Sequence, residues 1–402
     1  MEPKLLLRTD AYKNAATNDF WVFISDPTGK MLAVKQVRPH DPPLEFYGPS
    51  NGNITMTTFG YYQYNSSGMQ YDRYYLASVQ DIVPGSEFIL DTAYYSGSYP
   101  DVIGKASIRL EDYNDANDPY FSLYFQDGYS PTNFELDLNS MVYQGSTFSA
   151  DFQLRKNPID VLVVSYRNGM PVYQWLQNVR VGDVVTTSFL SFQESKTISL
   201  NKQVAYGYVG GLNGNQIEEG YYILSNLGNW LLSKSSDKSQ IPKLGYIDGF
   251  EKYLVEVYQN PLGATETNVT YNKLGSLPQS IEMPEYSLSI TNNNLLGFSF
   301  KFSNEYTYKS SLFQTDFNPN APTTYVTWNF TASNKENFAV PSIPKEILQH
   351  YPTFSVSNLK FSWMNIYHEL DGQSYQDCVR QLITSHQRDT YENLNYSILK
   401  HE

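Results

Sequence analysis

Hydrophobic and polar positions alternate over short segments along most of the chain. In residues 323–333, TTYVTWNFTAS, every second position is apolar. Alternation over about four to nine residues, rich in β-branched and aromatic side chains, is typical of a half-buried strand. Turn-forming sequences such as DPTG, NSSG and RNG separate these segments. The pattern therefore predicts an all-β fold of tandem antiparallel β-sandwich units, not alternating strands and helices.

Two short helical segments interrupt this pattern near the C-terminus. Prolines precede residues 345–350 and leave room for only a short helical turn. Residues 374–388 form a better helix, because Ser374 and Asp377 make an approximate capping box. Its apolar stripe would be formed by Cys378, Val379, Leu382 and Ile383. The sequence thus predicts a small mixed C-terminal region with one short helix.

Two pairs of segments resemble each other and occur in the same order. Residues 22–46 and 162–189 each read as strand, glycine-containing turn, strand, Val-Arg and aspartate. Residues 133–152 and 280–302 each read as strand, polar turn and a strand with alternating phenylalanine. Two such pairs in one order predict an internal duplication.

The duplication suggests a division of the chain into three parts. We predict a first β-sandwich unit at 1–157 and a second, related unit at 158–305. The remainder, 306–402, is predicted to be a β-rich C-terminal region that carries the helix.

Three segments resemble the repeated immunoglobulin-like or carboxypeptidase-regulatory-like β-sandwich modules of bacterial cell-surface proteins. They are FISDPTGKMLAVKQV, VPGSEFIL at 83–90 and VRVGD at 179–183. The resemblance covers about half of the chain. It implies exposure at the cell envelope, with binding or display as the role, and it carries over no functional residue.

Tyrosine is unusually frequent, with 35 residues in 402, and it is concentrated in residues 59–76. The six tyrosines there are Tyr61, Tyr62, Tyr64, Tyr71, Tyr74 and Tyr75. The sequence NSSG at 65–68 predicts a turn, so the stretch is expected to be a hairpin. Successive strand side chains point to opposite faces, so at most half of these rings can enter one core.

The six tyrosines are our candidate ligand-binding residues, and three interpretations of them remain open. They could be cross-strand aromatic pairs within the fold. They could be rigid anchors of a protein interface. They could also stack on the sugar rings of a glycan, with their hydroxyls bonded to sugar hydroxyls.

The net charge and the cysteine count limit the kinds of binding partner and the cellular compartment expected for this protein. The net charge is -13 and the chain has no basic run, which argues against nucleic acid as a partner. The single cysteine, Cys378, permits neither an internal disulfide nor a thiolate zinc cluster. Near-absence of cysteine argues against a eukaryotic secreted module.

We expect a bacterial protein that is extracellular, on the cell surface or at the outer membrane. The apolar run at 5–7 is too short for a signal peptide, so we expect an export signal to have been removed. Membrane contact would then occur only through a lipid anchor lost with that leader.

No catalytic residue is predicted. The chain lacks G-x-S-x-G, S-x-x-K and H-E-x-x-H. Cys378 and His386, eight positions apart on the predicted helix, would lie about 80° apart and would not touch. A glycoside hydrolase needs a pair of carboxylates, which sequence cannot locate among 41 acidic residues.

One polar cluster could bind calcium. Residues 111–120, EDYNDANDPY, hold five oxygen donors: Asp112, Asn114, Asp115, Asn117 and Asp118. Calcium takes six to eight oxygens from a flexible loop, and such an ion would be structural. The alternative is a solvated hairpin loop, because Asp and Asn are common turn residues. No other cofactor is predicted.

The expected function is that of a non-catalytic exported envelope or surface protein. It would bind an envelope protein or act as an assembly scaffold. The alternative is a carbohydrate-binding surface protein with a polysaccharide partner. The second alternative is an enzyme of the glycoside hydrolase type.

Overall fold

The structure, a computed structural model, confirms the all-β fold. About 62% of it is strand and 6% is helix. The residues that it describes are 4–10, 19–38, 41–49, 52–66, 69–89, 100–113, 123–129, 136–214, 221–227, 243–259, 267–315, 324–334, 339–384 and 388–399.

Strands β1 to β7 form the first of four successive blocks. They are Lys4–Thr9, Asp19–Ser25, Met31–Val37, Leu44–Gly48, Ile54–Ser66, Met69–Ile82 and Ser86–Phe88. Strand β1 pairs antiparallel with β4 and parallel with β7, which makes a small three-stranded sheet. Strand β2 pairs with β3 and β5, and β5 pairs with β6, so the second sheet has the order β3-β2-β5-β6.

The second block uses a similar connectivity. Its strands β8 to β15 are Gly104–Glu111, Leu123–Gln126, Leu136–Gln144, Thr147–Leu154, Ile159–Arg167, Met170–Val179, Val184–Ser188 and Gln193–Glu194. Here β8 pairs antiparallel with β11 and parallel with β14, as β1 does with β4 and β7. Strand β12 pairs with β9 and β13, as β5 does with β2 and β6.

The third block repeats the first strand for strand. Its strands β16 to β22 are Lys196–Leu200, Tyr206–Leu212, Tyr222–Leu227, Leu244–Tyr246, Lys252–Gln259, Thr267–Gly275 and Ser280–Ile281. Strand β16 pairs antiparallel with β19 and parallel with β22, and the other four form the order β18-β17-β20-β21. The two blocks therefore have the same topology.

The fourth block retains only the four-stranded part, preceded by a hairpin. Its strands β23 to β28 are Leu288–Asn292, Ser299–Phe302, Tyr308–Gln314, Thr324–Ser333, Lys360–Glu369 and Tyr391–Leu399. Strand β25 pairs with β26 and β27, and β27 pairs with β28, as in the other blocks.

Repetition is thus present, but between segments other than those aligned from sequence. The alignment of 22–46 with 162–189 compares β2 to β4 with β12 to β14, whereas strand pairing makes β17 the counterpart of β2. Strand pairing also crosses the predicted boundaries, since β8 bonds to β14 and β6 to β26. The three-part division stays a prediction about independently folding units.

Three of the four-stranded sheets join edge to edge into a central sheet of twelve strands. The order is β18-β17-β20-β21-β28-β27-β25-β26-β6-β5-β2-β3. Strand β21 joins β28 antiparallel, and β26 joins β6 parallel. The first and the last blocks of the chain therefore lie side by side.

One side of the central sheet, which we call the core side, is buried along much of its width. Burial alternates along β25 to β28, which places Phe313, Trp328, Met364 and Tyr396 on this side. Aromatic residues of the β23–β24 hairpin cover it, since the Phe302 ring lies 4.9 Å from the Tyr396 ring. The small sheet of the third block packs into the same cluster.

One end of the opposite side is covered by the small sheet of the first block. There the small sheet of the first block buries Leu6, Leu7 and Phe46 against Val22 and Ile24. Helix α2 lies beside it. The middle of this side carries half-exposed residues, and we call it the open side.

The predicted helical turn at 345–350 and the helix predicted at 374–388 are both present, the latter ending at Thr384 in the described part of the chain. Helix α1 is Lys345–His350 and helix α2 is Tyr375–Thr384. The predicted capping box of α2 is formed, because Ser374 Oγ donates to Asp377 at 2.5 Å and the Asp377 N–H donates to Ser374 Oγ at 3.3 Å. Neither described helix is long and apolar enough to cross a bilayer.

We expect the protein to lose stability as the pH rises above about 10, the usual pKa of tyrosine. Burial raises the pKa of Tyr206 to about 12 and raises those of Tyr271, Tyr308 and Tyr375 further. Above pH 10 the unfolded chain therefore releases protons that the folded chain retains, so the free energy of unfolding falls with pH.

Denaturant unfolding at increasing alkaline pH, with tyrosinate absorbance followed in parallel, checks this expectation. The absorbance of these buried tyrosines should rise together with the loss of structure. Complete tyrosine ionisation near pH 10 in a protein that is still folded would contradict it.

Candidate binding face on the central sheet

The six predicted tyrosines lie on one long hairpin, β5–β6. Tyr61 faces Tyr74 and Tyr64 faces Tyr71 across the two strands. The pairing continues to the ends of both strands, as the turn chemistry predicts, and residues 67–68 lie outside the described part. The hairpin prediction is confirmed, and the two faces of the hairpin separate the tyrosines into two groups.

Tyr61 and Tyr74 belong to the core side. Tyr74 is 2% exposed, and its ring centroid lies 5.1 Å from that of Phe354. Tyr61 lies 5.0 Å from Tyr351 by the same measure. Burial raises the pKa of Tyr74. These two tyrosines pack the segment after helix α1 onto the sheet, and of the two only Tyr74 is buried.

The other four tyrosines lie on the open side in two stacked cross-strand pairs. The rings of Tyr62 and Tyr75 are 5.2 Å apart with an interplanar angle of 12°. The rings of Tyr64 and Tyr71 are 4.9 Å apart at 16°. The hydroxyls of Tyr62 and Tyr75 hydrogen-bond each other at 2.5 Å. All four side chains remain partly exposed.

Arg73 connects these pairs. Its guanidinium donates to the Tyr64 hydroxyl at 2.8 Å and to the Tyr75 hydroxyl at 3.4 Å. It also lies 4.5 Å from the Tyr64 ring centroid and 5.3 Å from that of Tyr325 on β26. Cation–π contacts of this kind hold a charged side chain against aromatic rings. The hydrogen bonds to Tyr75 and Tyr64 raise the pKa of Arg73, which stays charged.

The positive charge of Arg73 has no acidic neighbour among the residues that the structure describes. No described carboxylate forms a salt bridge with its guanidinium. Asp72 points to the other side, where it accepts hydrogen bonds from Tyr61 and Gln63. We define the tyrosine face as Tyr62, Tyr64, Tyr71, Arg73, Tyr75 and Tyr325.

An apolar groove of about 510 Å³ adjoins the tyrosine face. Strand register explains it: Thr327 pairs with Tyr75, and Tyr75 with Gly60. The small side chains of Gly60, Ala77 and Thr327 leave a depression on the sheet surface. Larger lining side chains such as Phe20 and Leu312 border it. The groove is lined by Phe20, Thr58, Gly60, Tyr62, Tyr75, Leu76, Ala77, Leu312, Thr327 and Asn329.

All six tyrosines were candidate binding residues in the sequence; the structure brings four of them together on this face, with Arg73 and Tyr325, which the sequence did not single out. Arg73 lies two positions from both Tyr71 and Tyr75, so the two-residue period of a strand would have placed it with them. The partners from β25 and β26 could not be found in this way. The pairing of β26 with β6, between residues about 250 positions apart in sequence, places them next to the hairpin.

The predicted calcium loop falls largely outside the described residues. Asp112 is described: it is exposed and accepts a hydrogen bond from Ser188 Oγ at 2.7 Å. Asn114, Asp115, Asn117 and Asp118 lie outside the described part. Within the described ranges, no three His, Cys, Asp or Glu side chains are grouped as a metal site requires. Calcium at this loop stays a prediction.

Cys378 is part of the packing of helix α2. Its side chain is buried, and burial raises the pKa of its thiol to about 12. Arg388 donates to its sulfur at 3.2 Å and forms an ion pair with Glu369 at 2.6 Å. A thiol with a raised pKa is a poor nucleophile at neutral pH. His386 lies outside the described residues.

No family model matches the chain, and no curated protein matches it.

The two groups of tyrosines should differ in their contribution to stability. Tyr74→Ala removes a buried ring and is expected to lower the free energy of unfolding by about 3–5 kcal/mol. Tyr75→Ala removes a half-exposed cross-strand pair and should cost about 0.2–1 kcal/mol. Urea unfolding of both variants measures the difference. Equal losses would contradict the separation into a packed and an exposed group.

Proposed function

We propose that the protein is a non-catalytic exported bacterial surface protein that binds a protein partner through the tyrosine face and the apolar groove. The observation that carries the proposal is Arg73, a charged side chain held by Tyr64 and Tyr75 without a described acidic partner. Tyrosine and arginine are the residues most often found at the energetic centres of protein interfaces.

The rigidity of the face supports this proposal. Binding normally orders flexible side chains, at a cost of about 0.5–1.5 kcal/mol for each. On this face the rings are stacked and their hydroxyls are bonded before any partner arrives. Tyrosines with fixed rings therefore offer contact area at low entropic cost.

The chemistry of the face indicates the kind of partner segment that fits it. Arg73 would bind a carboxylate, either of an Asp or Glu side chain or of a chain terminus. The adjoining groove, lined by groups such as Phe20 and Leu312, would take an aliphatic or aromatic side chain. The expected partner thus presents a carboxylate beside an apolar side chain.

A glycan partner is supported less well at this face. Sugar rings stack on exposed aromatic faces, whereas Tyr62 and Tyr75 are stacked on each other, as are Tyr64 and Tyr71. The hydroxyls of Tyr62, Tyr64 and Tyr75 are already hydrogen-bonded. A glycoside hydrolase activity would also need carboxylates, and none of the described residues of the tyrosine face or groove supplies one.

Export to the cell envelope belongs to the same proposal. It rests on the generic resemblance to cell-surface sandwich modules.

Capture from the source envelope extract tests the proposal. Immobilised wild-type protein is compared with Arg73→Glu and with the matched control Arg109→Glu, an exposed arginine that pairs with Glu111. A protein captured by wild type is then purified and its affinity is measured. We expect at least about tenfold weaker binding to Arg73→Glu and unchanged binding to Arg109→Glu.

Thermal unfolding of each variant confirms that it is folded. Captured proteins whose affinity is unaffected by Arg73→Glu would contradict the proposal. Equal weakening by both substitutions would also contradict it, because it would reflect a general charge effect. Saturable binding of a polysaccharide at the same residues would favour the glycan alternative.

A further inference from the structure

A second concave site lies away from the tyrosine face, where the second block meets the third. It is a cleft of about 500 Å³ between the end of β9, the start of β12 and the end of β17. Its polar and aromatic lining includes Asp127, Tyr129, Lys156, Asp160, Asn213 and Tyr222. We infer that this cleft binds a neutral sugar, as a monosaccharide or as one unit of a glycan.

Asp127 is the first reason. Its side chain is 1% exposed, and its Oδ1 accepts the Tyr129 N–H at 3.0 Å. Its Oδ2 accepts no hydrogen bond and lies 3.6 Å from the Arg155 guanidinium. Buried carboxylate oxygens are normally hydrogen-bonded, because an unfilled acceptor costs free energy. Asp127 also lines the cleft, so a ligand hydroxyl there would donate to this carboxylate once a small rotation of the side chain uncovers the buried Oδ2.

Among the residues that the structure describes here, the charges around the cleft are balanced, which selects against ions. Asp127 and Asp160 contribute two negative charges, and Arg155 and Lys156 contribute two positive charges. A cation would meet Lys156, and an anion would meet the two carboxylates. A neutral ligand with many hydroxyls has neither penalty, because each hydroxyl can both donate and accept.

Tyr222 adds a fixed aromatic wall. It is 8% exposed, and its ring lies 5.3 Å from Trp175 and 5.4 Å from Phe250. Gly128, with φ of +81°, approaches so closely that a Cβ there would lie 2.6 Å from the Tyr222 hydroxyl. Burial and the nearby Asp127 raise the pKa of Tyr222, so its hydroxyl stays protonated and can donate.

The lining therefore matches the surface of a sugar. Carboxylates accept hydrogen bonds from sugar hydroxyls, while Lys156 and the Asn213 amide donate to them. The volume falls within the range of about 300–1,000 Å³ usual for small-ligand sites. No covalent step is implied, and the site is independent of the protein-binding face proposed above.

Saturation-transfer NMR with purified full-length protein tests the inference. The probes are glucose, galactose, mannose, N-acetylglucosamine and rhamnose, with glucuronate and glucosamine as charged comparators. Asp160→Ala removes an exposed acceptor, and Asn213→Trp fills the cleft. Asp183→Ala is the matched control, because Asp160 and Asp183 each accept one backbone N–H at 2.8 Å.

We expect at least one neutral sugar to bind wild type and the Asp183→Ala control equally. Binding should weaken at least about tenfold in Asp160→Ala and disappear in Asn213→Trp. Arg73→Glu should bind the sugar as wild type does. Failure of the protein-binding proposal and failure of the sugar-binding inference can therefore be told apart.

Three results would overturn the inference. One is silence of the folded wild-type protein with every neutral sugar. Another is binding that survives Asn213→Trp, since the sugar would then lie elsewhere. The third is binding of glucuronate or glucosamine alone, since the balanced charges would not explain it.

Discussion

The parallel pairing of β6 with β26 is the contact on which the binding face depends. Eight residue pairs, from Asp72–Thr324 to Val79–Thr331, join strands about 250 positions apart in sequence. On the core side, Trp328 is fully buried and donates to Ser78 Oγ at 2.8 Å, and Ser78 in turn bonds Thr57. We call this β6–β26 pairing the seam. Its register is fixed by backbone hydrogen bonds and by the buried Trp328–Ser78–Thr57 hydrogen bonds. Without it, the tyrosine hairpin would be an edge of the sheet, and Tyr325 and the β26 wall of the groove would be absent.

This seam also explains why a tyrosine-rich hairpin has two different roles. A strand sends alternate side chains to opposite faces, and the seam gives each face a distinct environment. On the core side, Tyr74 meets Phe354 and becomes part of the core. On the open side, Tyr75 stacks on Tyr62 and borders a groove completed by Thr327. The two-residue period therefore divides the six tyrosines into two that pack the core side and four on the open side.

Local chemistry could be predicted from the sequence, and long-range pairing could not. The Ser374–Asp377 capping box and the helical turn at 345–350 are formed as expected, because each depends on residues within one turn. Alternation identified β26, and the NSSG turn identified the β5–β6 hairpin, for the same reason. The counterpart of β2 was misassigned, since strand partners are chosen by packing across the fold rather than by neighbouring residues. The groove and the Asp127 cleft combine such distant segments, so no local pattern in the sequence indicates them.

Site-specific photocrosslinking in envelope preparations of the source organism would show whether the tyrosine face binds a protein. A photoreactive amino acid is placed at Asn329, on the groove wall, and at Tyr143, an exposed aromatic position in the second block. We expect a discrete adduct with one envelope protein from position 329 and none from position 143. Peptide mapping should place the crosslink near an acidic residue beside an apolar side chain. Adducts from position 143 alone, or crosslinking from position 329 only to polysaccharide, would contradict a protein-binding role for the tyrosine face.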